Sequence, residues 1–212
     1  MTEGLRERKK QRTRRHISQV AIGLFVERGF DQVTVAEVAA AAEVSVNTVY
    51  NYFPVKEDLV LPPDQASAHR LADLVRERPP GRPAVLAVLD RLRAEARGRD
   101  RRMGLSEGFG RVFEMMRAAP TLMARLSDLG QRMTDELAAA LADETGADPG
   151  DPLPRVVAWQ VGALHSMIYT EIGRRTAAGE DRDTIAAAVL DLLDVFESLL
   201  GERVLAYAVR KE

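Results

Sequence analysis

The chain has 212 residues, 46% of them hydrophobic and 29% charged, with a formal net charge of −2; a chain of this length buries roughly 70% of its unfolded surface, in one or two small domains. It has no cysteine, which excludes a disulfide framework, a thiolate nucleophile and a cysteine-ligated metal. Its three histidines, at 16, 69 and 165, are too scattered for a histidine metal cage, no apolar run approaches the roughly 18 residues of a membrane helix, and the N-terminus lacks the apolar stretch of a secretory signal.

A cytoplasmic protein without metal or cofactor is therefore expected, and the charge is unevenly placed along it. Residues 1–56 hold nine Lys/Arg against six acids, seven of the basic residues falling between Arg6 and Arg15, whereas residues 57–212 hold 21 basic and 26 acidic residues. A basic head on an acidic body points to a polyanion at one end only; a solvated basic tail is the plain alternative.

Apolar residues recur at three and four throughout, strand alternation is scarce, and the reading is all-α with about nine helices. The first helix is predicted over about Lys10–Arg28, with Ile17, Val20, Ala21, Leu24 and Phe25 inward and Gly29 as a left-handed cap. Thr34-Val35-Ala36-Glu37 fits a capping box opening the second helix, with Val35, Val38 and Ala39 inward. After a turn over Ala41–Val44, Ser45 is the natural N-cap of a short third helix, which Phe53 before Pro54 ends.

That third helix carries the information. Val46, Val49 and Phe53 form a stripe for the core, while Asn47 with Asn51 and Thr48 with Tyr52 lie at i, i+4 on the other side. A helix made only for solvent favours Glu and Lys; this one offers amides, hydroxyls and rings. Asparagine pairs bidentately with adenine in the major groove, and Tyr50, Tyr52 and Lys56 suit phosphate contacts. Two helices, a tight turn and a short polar-faced helix behind a basic segment make a helix-turn-helix.

The run Gly29-Phe30, Thr34-Val35-Ala36-Glu37-Val38-Ala39 and Val44-Ser45-Val46-Asn47-Thr48-Val49-Tyr50-Asn51-Tyr52-Phe53-Pro54-Val55-Lys56-Glu57-Asp58-Leu59 closely resembles the DNA-binding head of TetR-family transcriptional regulators. The resemblance covers residues 10–60, about a quarter of the chain. It implies an α-helical homodimer that represses transcription and releases double-stranded operator DNA on binding a small molecule. Mapped onto this sequence, it divides the chain into a head over 1–56 and an all-helical effector-binding and dimerisation domain over 57–212. Thr34 would cap the second helix beside a phosphate, with Ser45 at the cap of the third. Val46, Asn47 and Asn51 would meet base edges, Val46 having core filling as its alternative, and Thr48, Tyr50, Tyr52 and Lys56 would hold phosphates. Family members often carry His where Tyr52 stands.

Pro62-Pro63 interrupts the element that in the family runs unbroken into the body, so a short helix over 55–61 and a restart at the prolines are expected. Further helices are predicted over 84–96, 105–117, 121–144, 153–178 and 183–208. The 153–178 helix is apolar on two sides: Val157, Val161, Leu164, Ile168 and Ile172 on one, Val156, Ala163, Met167 and Thr170 toward another. The family suggests that the last two helices pair with their symmetry mates. Val161, Leu164, Ile168, Ile185, Val189, Leu192, Phe196 and Leu199 are the interface expected on that basis, with intramolecular core as the alternative.

Met103, Phe109, Phe113, Met116, Met133, Trp159, His165 and Met167 are candidate lining for an effector pocket, because thioethers and rings suit adaptable apolar sites; plain core is the alternative. No nucleophile elbow, phosphate loop, metal-ligand pair or dinucleotide fingerprint is present, so an enzyme is not expected. A ligand-responsive repressor is the first reading. A constitutive or architectural DNA-binding protein whose body only dimerises is the second.

Overall fold

A computed structural model describes residues 2–61 and 67–210, and the side chains of all of these except 2–7 and 102. The helices are α1 (Thr2–Arg28), α2 (Val35–Ala41), α3 (Val46–Tyr52), α4 (Arg70–Glu77), α5 (Ala84–Arg97), α6 (Phe109–Ala118), α7 (Pro120–Thr145), α8 (Leu153–Ala177), α9 (Arg182–Leu199) and α10 (Glu202–Leu205). Among the described residues the only β pairing is an isolated bridge between Pro83 and Val209. The fold is all-α, with an N-terminal helix-turn-helix and a helical C-terminal region. No described helix is long and apolar enough to cross a membrane.

Several boundaries differ from those expected. The first helix begins at Thr2, so the basic segment is helical; Arg, Lys and Gln are good helix formers and no Pro or Gly interrupts them after Gly4. The 55–61 segment is a single 3-10 turn over Lys56–Leu59. The restart at Pro62-Pro63 lies outside the described residues, and the next described helix, α4, was not separately expected. The last helix stops at Leu199, where Leu200 turns extended (ψ 133°) and Gly201 starts the short α10.

The chain divides into two compact units: Met1–Ala66 with Arg111–Leu126, and Ser67–Gly110 with Ser127–Glu212. The sequence placed its boundary at 56/57; here Asp58, Leu59 and Val60 are buried in the first unit. That unit centres on Ile17, Ala21 and Phe25 of α1, Phe30 and Val33 of the following turn, Val38 and Ala39 of α2, Val49 and Phe53 around α3, and Met115, Met116 and Leu122 from its second stretch. Val20, Leu24 and Val35 are partly buried at its edge. Ser18 Oγ donates to the Leu59 carbonyl at 2.7 Å, and the buried Asp58 carboxylate accepts from Arg125 at 3.2 Å. These bonds fix the 3-10 turn onto α1 and onto the second stretch.

In the second unit α5 packs against α4, α8 and α9, over a core that includes Leu71, Val85, Leu92, Leu137, Val161 and Ile168. Arg93 of α5 reaches Asp194 and Glu197 of α9, each at 2.6 Å. The buried Arg78 ties three segments together. It donates to the Arg82 carbonyl (2.8 Å), to Glu144 Oε2 of α7 (2.8 Å), to the Ala208 carbonyl (2.6 Å) and to the Val75 carbonyl. Gly110 is required for a close approach: a Cβ there would stand 2.6 Å from the Ala177 backbone nitrogen.

Candidate nucleic-acid interface

The first unit holds α3 by bonds that begin at α1. Glu37 N–H donates to Thr34 Oγ1 at 3.2 Å and Thr34 N–H to Glu37 Oε2 at 2.8 Å, which is the predicted capping box. Arg28, at the end of α1, donates to Glu37 Oε1 at 2.6 Å. The Thr34 amide, then the Arg28 guanidinium, then the Thr34 hydroxyl pull the Glu37 carboxyl from an ordinary 4.5 down to about 2. Gly29 takes the left-handed conformation (φ 88°) that lets α1 end where α2 must begin.

The turn between α2 and α3 is a Schellman motif. Glu43 N–H donates to the Ala40 carbonyl at 3.2 Å and Val44 N–H to the Ala39 carbonyl at 3.0 Å. Glu43 sits at φ 55°, a left-handed position that glycine ordinarily occupies. Ser45 then caps α3, its Oγ accepting from Thr48 N–H at 3.0 Å while the two hydroxyls lie 2.8 Å apart.

Val49 and Phe53 are buried and seat α3 on the core, and the Arg14 guanidinium lies 5.4 Å from the centre of the Phe53 ring. Val46 leaves the expected core stripe: it lies in the first turn and is 38% exposed. Of its two readings, core filling is the one the structure rejects. Asn47, Asn51 and Tyr50 (49% exposed) share the outer surface with it, whereas Thr48 and Tyr52 are half-buried. Lys56 has an internal role that the sequence did not reveal. Its Nζ donates to the Phe30 carbonyl at 2.6 Å and stands 4.2 Å from the Phe30 ring centre and 5.5 Å from that of Phe25. Arg8, Lys9, Lys10, Arg12 and Arg15 are exposed along α1.

This arrangement presents two amides one helical turn apart, with apolar Val46 beside them, on a helix whose ends are both tied down. Amides at that spacing can form paired hydrogen bonds with base edges, and an exposed valine can meet a thymine methyl. The cations of α1 add attraction for phosphate.

The profile of the family described as "Bacterial regulatory proteins, tetR family" matches residues 17–61, the segment just described. The transcriptional regulator TcmR of Streptomyces glaucescens is 28% identical over 200 residues, 90% of this chain and 85% of that protein. Residues 17–61 are similar to the DNA-binding segment of the tetR family. Its fold is also that of NalD, the secondary repressor of the MexAB-OprM multidrug efflux pump in Pseudomonas aeruginosa, with TM-score 0.54, 19% identity and coverage of 89% of this chain and 97% of that one. A TetR-family structure from Syntrophomonas wolfei gives TM-score 0.57 at 18% identity, covering 91% and 99%. TetR-family proteins are DNA-binding transcriptional regulators and not enzymes.

The body residues singled out from sequence are distributed differently from expectation. Val161, Leu164, Ile168, Ile185 and Val189, expected at a dimer contact, are buried in the chain's own core, and Leu192 and Phe196 are half-buried against it; only Leu199 (78% exposed) stands free. The exposed apolar surface of α8 is the opposite stripe, with Val156, Trp159 (67%) and Met167 (50%) at its centre, and α9 adds Val195. The signal lay in the second apolar side of α8; periodicity could not say which side its own bundle would cover. The eight pocket candidates are divided between the two units. Trp159 and Met167 are surface residues; Phe113 and Met116 belong to the first unit; Met103, Phe109, Met133 and His165 belong to the second.

Proposed function

We propose that this chain is a ligand-responsive transcriptional regulator of the cytoplasm that binds a near-palindromic operator as a homodimer, most simply as a repressor released by a small hydrophobic effector. The observation that carries the reading is the outer surface of α3, where Val46, Asn47, Tyr50 and Asn51 are exposed while Ser45, Val49 and Phe53 hold the helix in place. Asn47, Asn51 and Val46 would read bases. Tyr50, Tyr52 and Thr48 would hold phosphates with the first turn of α2 behind Thr34, and Lys56 would do so only with donors not already given to Phe30. The exposed cations of α1 would extend the phosphate contacts as a helix.

The head over 1–56 would supply DNA binding and the region 57–212 pairing and effector binding. The exposed apolar stripe of α8, with Leu199 and Val195 of α9, is the surface that a second copy would cover, since two equal patches related by a twofold axis bury one another. Two α3 helices would then enter successive major grooves about 34–36 Å apart.

In vitro selection from random duplexes tests the reading. Enrichment of an inverted repeat with that spacing is the expected result. No enrichment from a properly assembled dimer at moderate salt would overturn it. Thermal shift against a broad panel of hydrophobic metabolites separates the effector-responsive protein from a constitutive one, because a ligand of the native state raises its stability.

A further inference from the structure

Two cations of the first unit stand over buried rings. Arg14 faces Phe53 at the end of α3, and Lys56 faces the edge-to-face pair of Phe25 and Phe30, whose centres are 4.9 Å apart. The Lys56 contact has a second component. Its Nζ donates to the Phe30 carbonyl at 2.6 Å, a part-buried bond between residues 26 apart that joins the segment leaving α3 to the turn between α1 and α2. Lys56 also opens the 3-10 turn over Lys56–Leu59, which has no side-chain cap hydrogen bond of its own. The later residues of that turn are fixed elsewhere, Asp58 by Arg125 and the Leu59 carbonyl by Ser18. Its first residue, the one nearest α3, is held through the Lys56 side chain.

A helix of seven residues has little stability of its own and takes its direction from what holds its ends. Ser45 holds the first end of α3; the buried Phe53 and then the Lys56 tie hold the last. A hydrogen bond from a charged donor and a cation over a ring are both stronger in a part-buried place than at an exposed one. A phosphate would have to compete for this ammonium with a carbonyl and two rings, whereas Arg8, Lys9, Lys10, Arg12 and Arg15 are exposed. Resting on the DNA-binding reading above, and narrowing the role it leaves to Lys56, we infer that Lys56 is a positioning residue: it sets the direction of α3 through Phe30 and adds no phosphate contact of its own. Operator preference then depends on Lys56, and the attraction common to all duplexes does not.

The full-length protein tests this with two probes, the duplex enriched by in vitro selection and a duplex of random sequence. Lys56→Met removes the ammonium and keeps the aliphatic stem. It should weaken the selected duplex by about tenfold, because fewer heads hold α3 in the binding direction, and leave the random duplex and its salt slope as in the parent. A phosphate contact would instead weaken both duplexes alike and flatten the slope by about 0.9, and that result overturns the inference. Phe30→Leu, which removes the ring under the ammonium, completes a double-mutant cycle. Losses on the selected duplex that overlap in the double variant support action through Phe30, and strictly additive losses refute it. Should the variants fail to fold by circular dichroism, the parent decides by magnetic resonance: Lys56 Nζ should show no coupling to a DNA phosphorus in the complex, and a measured coupling refutes the inference. The two readings fail differently. A parent that prefers no duplex ends the regulator and this inference with it, whereas a parent with clear preference and a Lys56→Met variant that matches it on the selected duplex ends this inference alone.

Discussion

The two units of this chain solve the same problem, orienting helices, with bonds of different reach. In the head the capping bonds of α2 and α3 join residues three apart, Thr34 with Glu37 and Ser45 with Thr48, and Arg28 reaches Glu37 from nine residues away. In the body polar bonds join residues 66, 101 and 130 apart, as Arg78 to Glu144, Arg93 to Asp194 and Arg78 to Ala208 show. The caps of α2 and α3 are therefore specified by local grammar, whereas the 3-10 turn of the head, through Ser18 and Arg125, and the body, through Arg78 and Arg93, rest on contacts that only the fold creates. Where a substitution falls on a helix then decides its effect: on the outer side of α3 it changes a surface, and on the inner sides of the body helices it changes whether a fold forms.

The two sides of α8 give the sharpest way to break this comparison. Val161→Asp places a carboxylate in the buried core and should cost more than about 4 kcal/mol, enough to lose the cooperative thermal transition in circular dichroism. Met167→Asp, six residues on and on the exposed side, should melt as the parent protomer does but sediment as a monomer. A folded Val161→Asp, or a dimeric Met167→Asp, would reverse the assignment of sides.

Arg78→Ala comes next. It strips Glu144 of a buried cation and the carbonyls of Arg82 and Ala208 of one of their donors, leaving them Arg210 N–H and Ala84 N–H, and a loss of about 3–5 kcal/mol in urea unfolding is expected. A loss below about 1 kcal/mol would show that the long-range bonds are incidental and that the body rests on its aliphatic core alone.

These cases mark how much was legible beforehand. The capping box, the Ser45 cap, Gly29 and the outward Asn47 and Asn51 could all be read, because each depends on neighbours within a turn or two. The first helix was expected from about Lys10, so the turns before it were missed, although no residue there after Gly4 breaks a helix. Lys56 was assigned to phosphate because nothing in the sequence says that the Phe30 carbonyl folds back to within 2.6 Å of it. In the body the helices were legible and their faces were not: both sides of α8 are apolar, and which is core depends on α5 and α9. His165 was recognised as a polar residue of interest, but its burial and the effect of the Arg70 charge on it arise only in the folded bundle.

Asn47→Ala tests the surface. If its amide pairs bidentately with one base, preference at that base pair should fall by about 1–3 kcal/mol while thermal stability is unchanged. Selection profiles of the parent and the variant would show it, and an identical profile would remove Asn47 from the base-reading set. His165 then tests the interior. Burial, and secondarily the Arg70 charge, lower its pKa from 6.5 to about 4. A base whose folded pKa lies below its unfolded one leaves stability flat above pH 6.5 and lowers it as pH falls from 6.5 to 4, because only the unfolded chain takes up the proton there. Urea unfolding should lose about 1–2 kcal/mol from this group between pH 7 and 5, and His165→Gln should remove that part of the slope. A slope unchanged in the variant would place the acid sensitivity elsewhere.

The smallest effect returns to the turn of the head. Glu43 occupies a left-handed backbone position (φ 55°) where its Cβ is crowded by neighbouring backbone, and its side chain is exposed. Glu43→Gly removes that crowding but also frees the unfolded chain, so the two effects partly cancel and a net gain of about 0.5–1 kcal/mol is expected. Removing an acid beside α3 could raise DNA affinity through charge alone. Glu43→Gln separates the causes, because it discards the charge and keeps the Cβ. Glycine should stabilise and glutamine should not, whereas both should tighten DNA binding to the same degree at low salt. Equal melting temperatures for the two variants would mean that the Schellman turn is held by its two amide bonds without strain, and that the head tolerates a side chain there as readily as glycine.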